Sequence, residues 1–431
     1  MWWTVTRSWH QPRMTSSHNV HAFSRVRFLN CLNPPQPPQW QSTTMLLSIL
    51  KSVLVEPLRL ILNLTPLARF LPRQDDFAPH PGAPFEGYYT RIVTASGSTI
   101  LLIFSSVFSA ADCPHLVHFS LLPRDANNRI VVDKFPRIFG TAGPKHPDDG
   151  THEFGLVAKG DGTEGTYKVC RDEQRYRLEL DTAEGKIQVA VDITKRTPWI
   201  GSDKLSTPEG VFSTLTFLPL HWNVFSTASS TEYSISRDGV TIEEGTGIAH
   251  QEKNWGVSFP AGWTWIQSFS KPHRTRGLRT FCLAGGKIMG QKAYLLGYRS
   301  EKIQWSFRPP FTLMPFCFVT PFAGETIDSK RGTARFEMAT LSKKLLVEVS
   351  SPPDHEGWVG LCCPLSDGHR NTFAYETFEG CVRVRAFRRD WSLAWELVED
   401  TTFEGAAVEF GGDDSFKAPQ KDAKWSAGPL D

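Results

Sequence analysis

The chain has 431 residues, with 47 Lys or Arg against 45 Asp or Glu, a formal charge of +2. That balance excludes a general electrostatic drive toward nucleic acid, and the length exceeds one ordinary hydrophobic core. Aromatic residues make up 12%, Gly and Pro number 33 and 30, and long helical periodicity is rare after residue 75, which predicts an all-β chain rich in turns.

Residues 1–74 carry Arg7, Arg13, Arg25, Arg27, Lys51, Arg59, Arg69 and Arg73 against a single acid, Glu56. Such an acid-poor, Arg- and Ser-containing leader suits an organelle transit peptide. The competing reading is a disordered extension with Met45 as the start. Residues 46–64 are rich in Leu and Ile but are interrupted by Lys51, Glu56, Pro57 and Arg59. They fall short of the ~20 apolar residues a spanning helix needs. A short amphipathic helix touching a membrane surface and a core-packing helix remain equal candidates. The location expected is intracellular: organellar or membrane-associated through the leader, otherwise cytoplasmic.

From Phe85 the pattern becomes one of strands. Tyr88 to Val93 and Thr99 to Phe108 flank the turn Ala95-Ser-Gly-Ser98, and His115 to Leu122 follows. Residues 141–153 read as a loop. Gly160-Asp-Gly-Thr-Glu-Gly165 fits a dinucleotide fingerprint in letters only: no helix follows to bind a pyrophosphate, so it is a hairpin turn. Tyr176 to Leu180 and Ile187 to Ile193 alternate apolar and polar positions, and Asp238-Gly239 is a strong two-residue turn. Further strands are expected between residues 263 and 410, with Arg383, Arg385, Arg388 and Arg389 on a wet face. The expected organisation is a leader over 1–74, an N-terminal β-barrel half over 75–200, a C-terminal half over 201–415 and a flexible tail over 416–431. The eight cysteines show no C-x-x-C pair, which argues against a zinc ribbon, and they read as buried thiols in a reducing compartment. His115 and His118, three apart on a strand, face opposite sides and make no metal pair.

The densest chemistry lies in residues 250–267, His250-Gln-Glu-Lys-Asn-Trp-Gly-Val-Ser-Phe-Pro-Ala-Gly-Trp-Thr-Trp-Ile-Gln267. Gly256, Pro260 and Gly262 preclude one helix, so the stretch reads as strand, turn, strand. On the second strand Trp263, Trp265 and Gln267 share a face, with Thr264 and Ile266 opposite. An acid and a base beside a tryptophan wall suit a pocket for an apolar ligand. A structural corner in which Glu252 pairs with Lys253 is the competing reading. Phe85-Glu-Gly-Tyr-Tyr89 sets an acid beside two phenols, and Ala406-Ala-Val-Glu-Phe-Gly-Gly412 reads as a closing structural strand.

Together these three places resemble the tocopherol cyclase family, with Tyr88 standing where its members carry Trp. The resemblance implies a lipocalin-like architecture of two β-barrel halves and cofactor-free closure of a prenylated phenol or quinol to a chromanol. An acid would protonate a prenyl double bond and the phenol oxygen would capture the tertiary cation. Such a site needs a buried proton donor, aromatic faces and exclusion of water. The expected roles are Glu252 as acid or as orienter of one, Lys253 and Asn254 on the phenol oxygens, and Trp255, Trp263 and Trp265 as the wall. Gln267, Glu86 and Tyr88 complete the expected substrate contacts, and a hydrophobic small molecule is the expected partner. A non-catalytic lipid- or isoprenoid-binding barrel and a hydratase or pericyclase on the same scaffold are the rivals. Oligomeric state and native substrate are not legible in the sequence.

Overall fold

Tandem strands of alternating pattern, joined by turns too short for crossovers, can pair only as antiparallel meanders. The computed structural model describes residues 74–124, 128–270, 277–314, 322–353 and 357–416, and it is all-β, built as two large antiparallel sheets. The first sheet has eleven antiparallel strands between Phe85 and Gly256. Its two edges are Ile130–Lys134 and Arg137–Lys145. Only Phe135 and Pro136 separate these edges in sequence, so the sheet has to curl round on itself. The second eleven-stranded sheet runs from Gly262 to Gly412.

The change of sheet falls at residues 257–261, between the strand Val240–Gly256 and the strand Gly262–Phe269. Glu252 to Gly256 therefore belong to the first sheet, whereas the sequence put them in a C-terminal half starting at 201. The hairpin Leu220–Arg237 with Val240–Gly256 pairs with Gly185–Thr194 through Ser230–Arg237 and with Phe85–Thr94 through Gly247–Gly256, and these pairings carry the first sheet past residue 200.

Local turn chemistry matches the sequence at Asp161-Gly162 and Asp238-Gly239, where both central residues have positive φ, as a two-residue hairpin turn needs. The expected loop at 141–153 is mostly strand: Arg137–Lys145 pairs with His152–Gly160, leaving only a short turn. Arg383 and Arg385 lie on a wet face, bonded to Asp400 and Glu348. Of the cysteines, Cys282 and Cys363 are buried as expected, but Cys170 is exposed and Cys113, Cys362 and Cys381 are half-buried. The expected helix at 46–64 and most of the tail lie outside the described residues.

Strand alternation creates three apolar cores. One lies inside the first sheet around Tyr88, Ile92 and Tyr167, and one inside the second around Ile266, Phe336 and Val408. The third lies between the sheets and contains Trp199, Trp222, Trp263 and Trp265. At ~25 cal/mol per Å² of apolar surface, four buried tryptophans make this layer a substantial fraction of the stabilisation.

Candidate active site between the two sheets

The strand Phe85–Thr94 pairs with Val240–Gly256 so that Glu86 faces Trp255, Tyr88 faces Lys253, Tyr89 faces Glu252 and Arg91 faces His250. Side chains alternate across a sheet, so these pairs divide between its two sides. Glu86, Tyr88, Lys253 and Trp255 lie on the side of the first core. Tyr89, Arg91, His250, Glu252 and Asn254 lie on the side of the second sheet. In that sheet the strand Gly262–Phe269 pairs with Trp395–Gly412, setting Trp265 opposite Glu409, and Glu409 in turn stands opposite Glu376. The three sequence motifs thus converge on one layer.

A cavity of about 570 Å³ occupies this layer, with an almost wholly apolar wall. Glu252, Asn254, Trp263 and Trp265 line it, together with Tyr89 and Glu409. Tyr88 borders it too, but its ring packs against Phe77, Phe154 and Tyr167 in the first core and its hydroxyl donates to Glu86 at 2.9 Å. The volume suits a small apolar ligand held by a few polar groups.

Three buried carboxyls meet at the floor. Glu252 Oε2 accepts from Trp265 Nε1 at 3.0 Å and lies 2.9 Å from His250 Nε2. Glu376 Oε1 accepts the Tyr89 hydroxyl at 2.6 Å, while its Oε2 is buried without a partner. Glu409 Oε1 accepts from Trp263 Nε1. Burial pushes the Glu409 carboxyl up to about 7; the Trp263 hydrogen bond opposes the rise and the Glu252 charge adds to it. Burial, reinforced by the charge of Glu409, holds Glu376 well above the ordinary carboxylate range, against the Tyr89 hydrogen bond. The raised Glu409 and Glu376 carboxyls are both able to hold a proton near neutral pH. Burial also raises the Tyr89 phenol, which stays protonated.

Arg91 is buried beneath this floor. It donates to Gln267 Oε1 at 2.6 Å, to the Gln267 carbonyl at 3.2 Å and to the Gly405 carbonyl at 2.6 Å, fastening the first sheet to the second. Gln267 thus shares the tryptophan face but serves Arg91 and is not part of the cavity wall. His250, Glu252 and Cys282 bring one ligand atom each within 4.8 Å of one another. The Trp265 N–H aimed at the same Glu252 oxygen suits a hydrogen-bond network better than a cation.

Lys253 and Trp255 depart from their expected roles because neighbouring residues on a strand face opposite ways. Lys253 Nζ bonds Glu86 Oε2 at 2.9 Å, His80 Nδ1 at 2.8 Å and the carbonyls of Phe77 and Ala78, not Glu252. It ties the segment before the first strand to the first sheet. Burial alone would raise Glu86, but the Lys253 charge and hydrogen bonds to His80 outweigh it and hold Glu86 down to about 2. Trp255 is sandwiched between the His80 ring, at 4.3 Å and 6°, and the His221 ring, at 5.1 Å and 17°. Tyr89 and Glu409 were present in the quoted motifs. Selecting them needed the register between strands far apart in sequence, Phe85–Thr94 with Val240–Gly256 and Gly262–Phe269 with Trp395–Gly412.

Compared with known proteins, the chain is similar to "Tocopherol cyclase, chloroplastic" of Zea mays, 24% identical over 220 residues, which is 49% of this chain and 43% of the maize protein. The chain thus matches under half the length of this curated relative. Among solved structures it is similar to CghA with Sch210972, at 10% identity and a TM-score of 0.48, covering 80% of this chain and 96% of that one. It is also similar to kievitone hydratase from Nectria haematococca, at 11% identity and a TM-score of 0.38, covering 80% and 93%. Residues 163–412 match the family model described as tocopherol cyclase-like; this covers more than half of the chain, which therefore belongs to the tocopherol cyclase-like family.

Proposed function

We propose that the protein is a cyclase that closes a prenylated phenol or quinol to a chromanol-type ring by proton transfer within the cavity between the sheets. The observation that carries this reading is Glu409: a carboxyl at the cavity wall, beside two tryptophan rings, with its pKa raised to about 7. A group poised near neutrality can hold a proton and still release it. Glu409 protonates the less substituted carbon of a prenyl double bond, and a tertiary cation forms on its neighbour. The faces of Trp263 and Trp265 stabilise that cation. The phenol oxygen attacks it and forms the C–O bond. Glu252, which accepts the Trp265 hydrogen bond at the same floor, takes up the phenolic proton. One proton enters and one leaves, so the reaction is an isomerisation with no net oxidation. Asn254 orients the second ring oxygen, and the apolar wall limits capture of the cation by water.

Family membership and the maize relative's name support the reaction class. The word "chloroplastic" in that name accords with an organellar address for the leader. The test is incubation of the full chain with a prenylated quinol, followed by mass spectrometry. A chromanol of unchanged mass supports the proposal. A product heavier by one water would point to hydration, and bound but unreacted quinol would point to a carrier.

A further inference from the structure

The cavity opens through a rim that is apolar on its outside as well as its inside. Phe217 and Met289 both line the cavity, yet they are 50% and 57% exposed. They project from two separate loops, the turn after the short 3-10 helix Gly210–Thr214 and the tip of the hairpin between Thr280–Ile288 and Gln291–Arg299. Half-buried Leu218, Ile288, Pro309 and Leu313 continue the rim inward.

The hairpin tip is the more telling of the two. Met289 and Gly290 both have positive φ, at 50° and 73°. That geometry favours Asn-Gly and strains a side chain such as methionine. Here a long apolar side chain is held in a strained conformation and pushed into solvent, so the fold's own stability does not account for it. The exposed charge of the rim is basic as well, and the acids beside it, Glu209 and Glu325, are paired with His221 and Lys292. Residues 210–218, 286–291 and 308–314 contain exposed Lys287 and half-buried Arg308, and no acid.

We infer that this rim is a docking surface for a lipid bilayer carrying anionic headgroups, with Phe217 and Met289 inserted at the headgroup boundary and Lys287 on the phosphates. Apolar side chains on separate tips beside a lone basic group fit a flat interface with negative surface potential. An apolar ligand would then pass from the leaflet to the cavity without crossing water. The contact is distinct from the one the sequence suggested for residues 46–64. It goes beyond the cyclase reading, and its test involves no turnover, so the two can fail separately.

The full chain is floated with phosphatidylcholine vesicles, with and without phosphatidylglycerol. Wild type is expected to bind the anionic vesicles more strongly. The double variant Phe217→Asp, Met289→Asp is expected to lower partitioning about tenfold or more. Met289→Asn guards against misfolding: it suits the turn, so its thermal midpoint should hold or rise while vesicle binding weakens. Trp391→Ser with Leu393→Ser serves as control, since these residues are also exposed but lie on a hairpin tip that does not line the cavity. The inference is overturned if wild type does not bind vesicles, if both rim variants bind like wild type, or if the Trp391 variant alone abolishes binding.

Discussion

Lys253→Met separates a structural lysine from a chemical one. Lys253 is fully buried, and its ammonium group is shared among Glu86, His80 and two backbone carbonyls. Removing it leaves the Glu86 carboxylate, itself 6% exposed, without its counter-charge. Glu86 is held at about 2 against an ordinary 4.5. Burial meanwhile lowers Lys253 to about 8 from an ordinary 10.5, so the favourable Glu86 shift is largely offset by the unfavourable Lys253 one and does not by itself measure the pair's worth. Stranding one member of a buried pair typically costs about 3–5 kcal/mol, because the remaining charge is left without a partner. Because the carboxyl is depressed in the folded state, its stabilisation is complete above pH 4.5 and fades as pH falls from there toward 2. The assay is urea unfolding followed by tryptophan fluorescence across that range. Lys253→Met should lose about 3–5 kcal/mol at pH 7 and flatten the acid limb. Adding Glu86→Gln should recover part of the loss, with a coupling of about 0.5–3 kcal/mol. The reasoning is refuted if Lys253→Met loses under about 1 kcal/mol while turnover collapses, because Lys253 would then act on substrate.

Three other outcomes follow from the site. Cyclisation should fall about tenfold per pH unit above the raised Glu409 pKa of about 7, since the protonated acid is the active form; a rate flat from pH 6 to 9, as roughly bracketing that pKa, would remove Glu409 as donor. The same raised pKa makes the folded state lose stability as pH rises from 4.5 to 7, because the unfolded carboxyl ionises first. Glu409→Gln should reduce that slope in thermal melts without abolishing it, since burial also raises Glu376 and lifts Asp76 to about 7; an unchanged slope would show that Glu409 does not titrate there. Gly411→Ala would drive a methyl group into the Trp263 ring. It should shift Trp263, cost about 1–3 kcal/mol and lower turnover; near-UV circular dichroism and kinetics identical to wild type would contradict the packing described here.

The all-β class and the hairpin turns were legible because their cues are local: Asp238-Gly239 needs only two residues to specify a turn. The face shared by Trp263 and Trp265 followed from alternation within a single strand. The assignments that failed needed pairing across strands. Lys253 stands next to Glu252 in sequence, yet its partner Glu86 lies on the neighbouring strand, and the sequence does not print that register. Glu409 looked structural because its proton-holding character arises from burial against Trp263 and Glu252, both far away in sequence. Glu376 and Arg91 belong to no motif, and only the contact between the two sheets gives them meaning.

Glu409→Gln against Glu252→Gln, assayed for chromanol formation from one prenylated quinol, tests the account most directly. The amide introduced by Glu409→Gln keeps an acceptor for Trp263 but has no acidic proton to give. Glu409→Gln is expected to lower kcat by about a hundredfold or more with folding intact. Glu252→Gln should lose less and keep an alkaline fall, moved to lower pH because the Glu252 charge helps to raise Glu409. Wild-type turnover by Glu409→Gln would contradict the claim that this cavity works by proton donation from Glu409.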